Sequence, residues 1–104
     1  NRIYTRTGDG GTAGLVDGSR VSKSSARMHA IGEVDEANSA IGVAITLVEG
    51  EHAGRLTRVQ NELFDLGADI ATPRDMEGAL RIVPRQVERL EEEIDAMNAD
   101  LSPL

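Results

Sequence analysis

The chain has 104 residues, room for one domain or a piece of one, and for a core that is only just stable. It is 39% hydrophobic and 28% charged, with no Cys, no Trp and a net charge of −7. This composition excludes a membrane-spanning run of about 18 apolar residues, a disulfide scaffold and a thiolate metal site, and it argues against a nucleic-acid partner.

The opening residues are polar and glycine-rich, without the apolar stretch of a signal peptide, so the cytoplasm is the expected compartment. Asn1 to Arg27 carries Arg2, Arg6, Arg20, Lys23 and Arg27 against Asp9 and Asp17. The remainder holds six arginines against sixteen acids. A short basic head therefore precedes an acidic body. The head also contains Gly8, Gly10, Gly11, Gly14 and Gly18 and seven Ser or Thr residues. Glycine, hydroxyl and positive charge in one place suit the binding of a small anion better than the building of a core.

Within the head, Thr5-Arg6-Thr7-Gly8-Asp9-Gly10-Gly11-Thr12-Ala13-Gly14 carries the most information. Backbone N–H groups freed by glycine can converge on phosphate oxygens, and Thr5, Thr7 and Thr12 add hydroxyls. Arg6, Arg20 and Lys23 can supply charge-assisted bonds to a polyphosphate. Asp9 either holds a water of a phosphate-bound Mg²⁺ or simply shapes the turn. A Walker loop is rejected, because Gly14 is followed by Leu15 and Val16 rather than by Lys and Ser/Thr. A dinucleotide fingerprint is rejected too, because no βαβ unit surrounds the glycines. No strand is expected beyond a short extended piece at Arg2 to Thr5.

Three amphipathic helices follow. The first is predicted from about Ala26 to Glu49, with Ser24 or Ser25 as N-cap and Gly50 as the stop. Ile31, Val34, Ile41, Ala44, Ile45 and Val48 form its apolar face. The second is predicted from about His52 to Ala71, with Leu56, Val59, Leu63, Leu66 and Ile70 spaced 3, 4, 3, 4. Pro73 ends it, since Thr72 before a proline is pushed out of the helical region. The third starts at Pro84, a favoured first-turn residue, and sets Val87, Leu90, Ile94, Met97 and Leu101 on the same kind of stripe. Phe64 is expected at the edge of the core.

The first helix also carries a polar strip, Asp35, Asn38 and Gly42, at spacings of 3 and 4. It is either a solvated face or a contact with a subunit or ligand. His29 is read as a surface or capping residue and Glu91-Glu92-Glu93 as a solvated face. The fold class is all-α: an up-and-down helical bundle behind an irregular Gly/Thr-rich arm. We divide residues 1–104, a single domain, into an arm at 1–25 and three bundle helices at 26–104. The first helix is apolar over a wide arc and expects neighbours on more than one side, from further helices or from identical subunits.

Four ordered blocks resemble a known family. They are Ile3-Tyr4-Thr5-Arg6-Thr7-Gly8-Asp9-Gly10-Gly11-Thr12, Ser19-Arg20-Val21-Ser22-Lys23, Gly32-Glu33-Val34-Asp35-Glu36-Ala37-Asn38-Ser39-Ala40-Ile41-Gly42, and Gln60-Asn61-Glu62-Leu63-Phe64-Asp65-Leu66-Gly67-Ala68-Asp69 with Thr72-Pro73. They are similar to the PduO-type ATP:cob(I)alamin adenosyltransferases. The resemblance implies a five-helix bundle, of which three helices are present and the domain is therefore incomplete, assembled as a homotrimer with ATP between subunits. It implies transfer of the 5′-deoxyadenosyl group of ATP to cob(I)alamin, giving adenosylcobalamin and triphosphate, with Mg²⁺ mainly on the ATP phosphates. It places Thr5, Arg6, Thr7, Gly8, Ala13, Gly14, Lys23 and Arg27 at the ATP, and Asp35 and Asn38 at a subunit contact where Asp35 meets a neighbour's arginine. A different class of reading is a non-catalytic, ATP-sensing trimeric module built on the same arm. The chain departs from the family at Ala13, where a hydroxyl residue is usual, and in the shorter loop after Pro73. The family also continues past the last matching position with an arginine-bearing motif and corrin-lining residues, which have no counterpart here.

Overall fold

A computed structural model describes residues 1–104. A small antiparallel hairpin, β1 (Thr12–Gly14) and β2 (Arg20–Ser22), is followed by three helices, α1 (Ala26–Ile45), α2 (Glu51–Ile70) and α3 (Pro84–Asn98). The helical class expected from the sequence is what the chain adopts, with one addition. The arm is not irregular throughout. Thr12 faces Ser22, Ala13 faces Val21 and Gly14 faces Arg20 in a short ladder. Its turn explains it: the Asp17 carboxylate accepts from the Ser19 N–H at 2.9 Å and from the Ser19 hydroxyl at 2.5 Å. Gly18 takes the left-handed conformation the turn requires, at φ 85°. The extended piece expected at Arg2 to Thr5 does not pair as a strand.

Ser25 caps α1, its hydroxyl accepting from Met28 N–H at 3.3 Å. The helix ends at Ile45, four residues before the expected Glu49. The Thr46 N–H and hydroxyl both bond to Val43 O, at 3.1 and 2.6 Å, so the last turn tightens to i→i+3 and unwinds. The second helix starts and stops within a residue of its expected bounds. In α3, Pro84 occupies the first turn and Gln86 reaches back to accept from Val83 N–H at 2.9 Å. It stops at Asn98, so Leu101 lies beyond the helix and is 68% exposed.

The helices pack up and down. Asn38 and Gln60 lock α1 to α2 reciprocally, each side-chain amide donating to the other's backbone carbonyl at 3.3 and 3.1 Å. Gly42 permits this approach, since a Cβ there would stand 3.1 Å from the Gln60 amide nitrogen. α3 is held to α2 by ion pairs of Arg58 with Glu93 (3.3 Å) and of Arg89 with Glu62.

What the three helices do not make is a closed core. Thr72 is the one buried residue. The accessible surface is 7949 Å², against about 5,700 Å² for a compact monomer of this mass. The radius of gyration is 17.3 Å, against about 13 Å expected. Val43, Leu47, Val87 and Ile94 are all more than half exposed. Phe64, expected at the edge of the core, is 74% exposed: it sits one position off the Leu63, Leu66, Ile70 stripe and points away from it.

Candidate functional site

The arm folds its glycines into two consecutive turns, with Asp9 N–H donating to Arg6 O and Gly11 N–H to Gly8 O, both at 3.1 Å. Thr5 and Thr7 meet at their hydroxyls, 2.9 Å apart, and the Thr7 N–H also donates to Thr5 Oγ1. Arg6 sits at φ 62°, a left-handed conformation uncommon outside glycine, and its guanidinium lies 5.1 Å from the centre of the Tyr4 ring. Such a backbone is costly unless the surrounding turns enforce it, and it is a mark of functional loops.

The hairpin carries Lys23 back across this loop. Its N–H donates to Gly11 O at 2.9 Å. Its ammonium stands 3.0 Å from where a Cβ at Gly8 would be, and Thr12 O stands 3.1 Å from the same point. Glycine at position 8 is what lets a cation rest against the loop backbone. Arg20 braces the same turns: Nε donates to Thr12 Oγ1 at 3.0 Å, and Nη2 to Thr12 O at 2.9 Å and Thr7 O at 3.4 Å. Neither Lys23 nor Arg6 nor Arg20 forms an ion pair with a carboxylate. Hydroxyls, backbone and unneutralised cations thus come together on one exposed stretch of the arm, an arrangement that can hold a polyanion.

Of the residues expected at ATP, Thr5, Arg6, Thr7, Gly8 and Lys23 are gathered here. Ala13 and Gly14 lie on β1, beside Arg20. Ala13 is half-buried opposite Val21 and offers the loop only its backbone. Arg27 is elsewhere engaged. Its Nη1 donates to Ile70 O at 2.6 Å and to Thr72 O at 3.4 Å, at the C-terminal end of α2. Sequence reading missed this use and missed Arg81 and Asp69, which meet at 2.7 Å beside it. The Ile82 N–H, and then Arg81, hold the Asp69 carboxyl below the usual carboxylate range.

Asp35 and Asn38 line a separate groove of about 350 Å³ between α1 and α2, with Met28, Ile31, Val34 and Phe64 on its apolar walls. Asp35 joins no ion pair within the chain. The Asn38 Oδ1 is shielded from solvent and accepts no hydrogen bond. Asp35 is exposed on this groove, while the shielded Asn38 carbonyl oxygen is the polar atom there left without a donor. His29 borders a shallower pocket with Lys23, Glu33 and Glu36.

The profile of the cobalamin adenosyltransferase family matches residues 3–104. The corrinoid adenosyltransferase of Mycobacterium bovis is 48% identical over 108 residues, covering 99% of this chain and 56% of that protein. The corrinoid adenosyltransferase of Bacillus subtilis is 37% identical, with 55% of its length covered. Among solved structures, a variant of the PduO-type ATP:corrinoid adenosyltransferase from Lactobacillus reuteri, complexed with cobalamin and ATP, superposes with a TM-score of 0.89 at 32% identity. The match covers 99% of this chain and 60% of that one. The chain thus spans little more than half the length of the relatives it matches.

Proposed function

Because the chain belongs to the cobalamin adenosyltransferase family, we propose that it supplies the ATP-holding arm and three bundle helices of a corrinoid adenosyltransferase. In the reaction, cob(I)alamin, as substrate, attacks the 5′ carbon of ATP. A cobalt–carbon bond forms, the bond from C5′ to the triphosphate oxygen breaks, and triphosphate leaves with the electron pair. The nucleophile comes with the substrate, so no residue of this chain has to supply one. The protein's part is to hold and neutralise the leaving group and to aim the ribose.

The observation that carries this reading is Lys23 lying over Gly8 with no carboxylate partner, in a loop that also holds the Thr5–Thr7 hydroxyls and is braced by Arg20. A triphosphate placed there would meet Lys23 and Arg6 as charge-assisted donors, with Thr5, Thr7 and the Gly8 backbone completing the cradle. Asp9 is the carboxylate on this loop, and Mg²⁺ is usually held by one or two carboxylates together with the phosphates it accompanies. Any Mg²⁺ would travel with the phosphates, and we assign it no step.

In the same proposal the groove at Asp35 and Asn38 is a subunit contact in a homotrimer. An arginine of a neighbour would pair with the Asp35 carboxylate. No helix is long and apolar enough to cross a membrane, and we place the enzyme in the cytoplasm.

The test is Lys23→Ala in the whole protein, titrated with ATP by calorimetry. Loss of a charge-assisted phosphate contact worth about 1.5–3 kcal/mol should weaken binding roughly tenfold to a hundredfold. Unchanged affinity would show that the arm is not the phosphate site.

A further inference from the structure

The C-terminal end of α2 receives donors from three separate parts of the chain. Ile70 O accepts from Arg27 at 2.6 Å and Ala71 O from the Val16 backbone N–H at 3.0 Å. Thr72 O accepts from Arg27 at 3.4 Å and from Arg81 at 3.2 Å, and Pro73 O from Arg81 Nη2 at 2.5 Å. The Thr72 hydroxyl turns back to Ala68 O at 2.7 Å, which helps bury this one residue. Asp69 closes the assembly. Its Oδ1 accepts from Arg81 Nη1 and its Oδ2 from the Ile82 N–H, both at 2.7 Å, while its own carbonyl accepts from Arg81 at 3.2 Å. Every carbonyl from Ala68 to Pro73 is therefore bonded, five of them to Val16, Arg27 or Arg81. Two guanidinium groups at the negative end of a helix also complement its dipole.

The placement of those donors is what matters for the arm. Val16 lies in the turn between β1 and β2, and its bond to Ala71 is the backbone hydrogen bond that joins the hairpin to the helices. Arg27 lies in the first turn of α1, four residues after Lys23. The arm is thus tied down on both sides of Lys23, and both ties end on residues 70–72. Arg81 grips the same stretch from the connection leading to α3.

Resting on the nucleotide-binding reading of the arm, we propose that Arg81 and Asp69 are positioning residues for ATP. They touch neither the nucleotide nor the loop that would hold it. They fix the carbonyls against which the hairpin and the start of α1 are registered, and through them the place of Lys23 over Gly8. A misplaced cradle loses affinity for the triphosphate, while the parts of the protein that meet the corrinoid are untouched.

The experiment uses the whole protein with Arg81→Gln, Arg81→Lys and Asp69→Asn. Three quantities are read: the KM for ATP, the KM for the corrinoid, and amide hydrogen exchange along the chain without ligand. Arg81→Gln should raise the KM for ATP about tenfold, with the corrinoid KM within twofold. Exchange at residues 15–22 should accelerate while the α1–α2 contact around Asn38 and Gln60 keeps its protection. Arg81→Lys should recover part of the ATP affinity, and Asp69→Asn should shift it in the same direction as Arg81→Gln but less. Equal rises in both KM values, or loss of protection throughout the helices, would reduce the cluster to a general stabiliser and overturn the proposal. Faster hairpin exchange with unchanged ATP affinity would overturn it too. Wild-type protein is titrated with ATP alongside. Failure of the wild type to bind would defeat the nucleotide reading itself, whereas wild-type binding with an indifferent Arg81→Gln defeats the positioning role alone.

Discussion

The arm and the helical body use their positive charges in opposite ways. In the body, Arg55, Arg58, Arg81, Arg85 and Arg89 each meet a carboxylate, and Arg74 alone does not. In the arm, Arg2, Arg6, Arg20 and Lys23 meet none, nor does Arg27 at the start of α1, although the chain as a whole has an excess of acid. Body cations are part of the scaffold: they bridge helices, as Arg58 does to Glu93, pair along one helix, as Arg85 does with Glu92, or close a helix end, as Arg81 does. Arm cations are held by neutral partners, Arg20 by carbonyls and a threonine hydroxyl and Arg6 against an aromatic ring. These fix geometry and leave the charge uncompensated. Keeping like charges together on an exposed hairpin is unfavourable without an anion, and it focuses attraction on one when it arrives.

The sharpest way to break this contrast is at Gly8. In Gly8→Val, the Cβ would stand 3.0 Å from the Lys23 ammonium and 3.1 Å from Thr12 O, so the ammonium and the loop backbone must give way, and the valine methyls widen that displacement. ATP affinity should fall by about a hundredfold, at the upper end of what removing the lysine charge would do, because the loop backbone is displaced as well. The nearest atoms to the added Cβ belong to Lys23 and Thr12 rather than to a helix, so the thermal midpoint should stay within about 2 °C. Calorimetric titration and thermal unfolding, run on the same sample, give both numbers. A large drop in the midpoint with ATP affinity preserved would reverse the assignment of roles.

The body should answer the other way. Glu62 and Arg89 pair between α2 and α3, with only 17% and 28% of their side chains exposed. Glu62→Ala strands a mostly buried guanidinium and should cost about 1–3 kcal/mol of stability. Urea unfolding measures that loss. ATP affinity in the same variant should be unchanged, since the pair takes no part in the arm or in the carbonyl cluster that anchors it. A tenfold loss of ATP binding there would mean that scaffold and site charges are coupled after all.

The division between arm and body was visible in the sequence as a division of charge, and the reason is physical. Periodicity reports helices that bury one stripe, so α2 and α3 could be read from their 3, 4, 3, 4 spacing. It says nothing about three-residue strands, which are too short to alternate. The hairpin signal was instead in the turn, Asp17-Gly18-Ser19, where a carboxylate, a left-handed glycine and a hydroxyl stand in order. The end of α1 escaped because Val48 continues the apolar pattern while the Thr46 hydroxyl competes for the backbone. Phe64 was misplaced for want of a register argument: one residue after Leu63, it lies about 100° around the helix from the buried stripe. Arg27 could not be assigned from sequence, because its partners, Ile70 and Thr72, are more than forty residues away.

The smallest effect is expected at Ala13, and it tests how far the arm works through backbone alone. Ala13 is the middle residue of β1, paired with Val21, and its methyl is half-buried on the face of the hairpin. A β-branched residue suits a strand position of this kind, so Ala13→Thr should fold as well as the parent and gain at most about 0.5–1 kcal/mol in the hairpin. The added hydroxyl is one more donor beside a cradle that already has Thr5, Thr7 and Lys23. A neutral hydrogen bond exchanged against water contributes about 0.5–1.5 kcal/mol, so ATP affinity should rise by no more than roughly tenfold. A loss of affinity would require that the ladder shift to admit the larger side chain. Since Lys23 follows Ser22 directly, any shift in the pairing of Thr12 with Ser22 would carry the ammonium off Gly8. Ala13→Thr combined with Lys23→Ala separates the two cases. If the threonine acts as a direct donor, its gain persists without the lysine; if it acts by moving the strand, its effect disappears once there is no ammonium to displace.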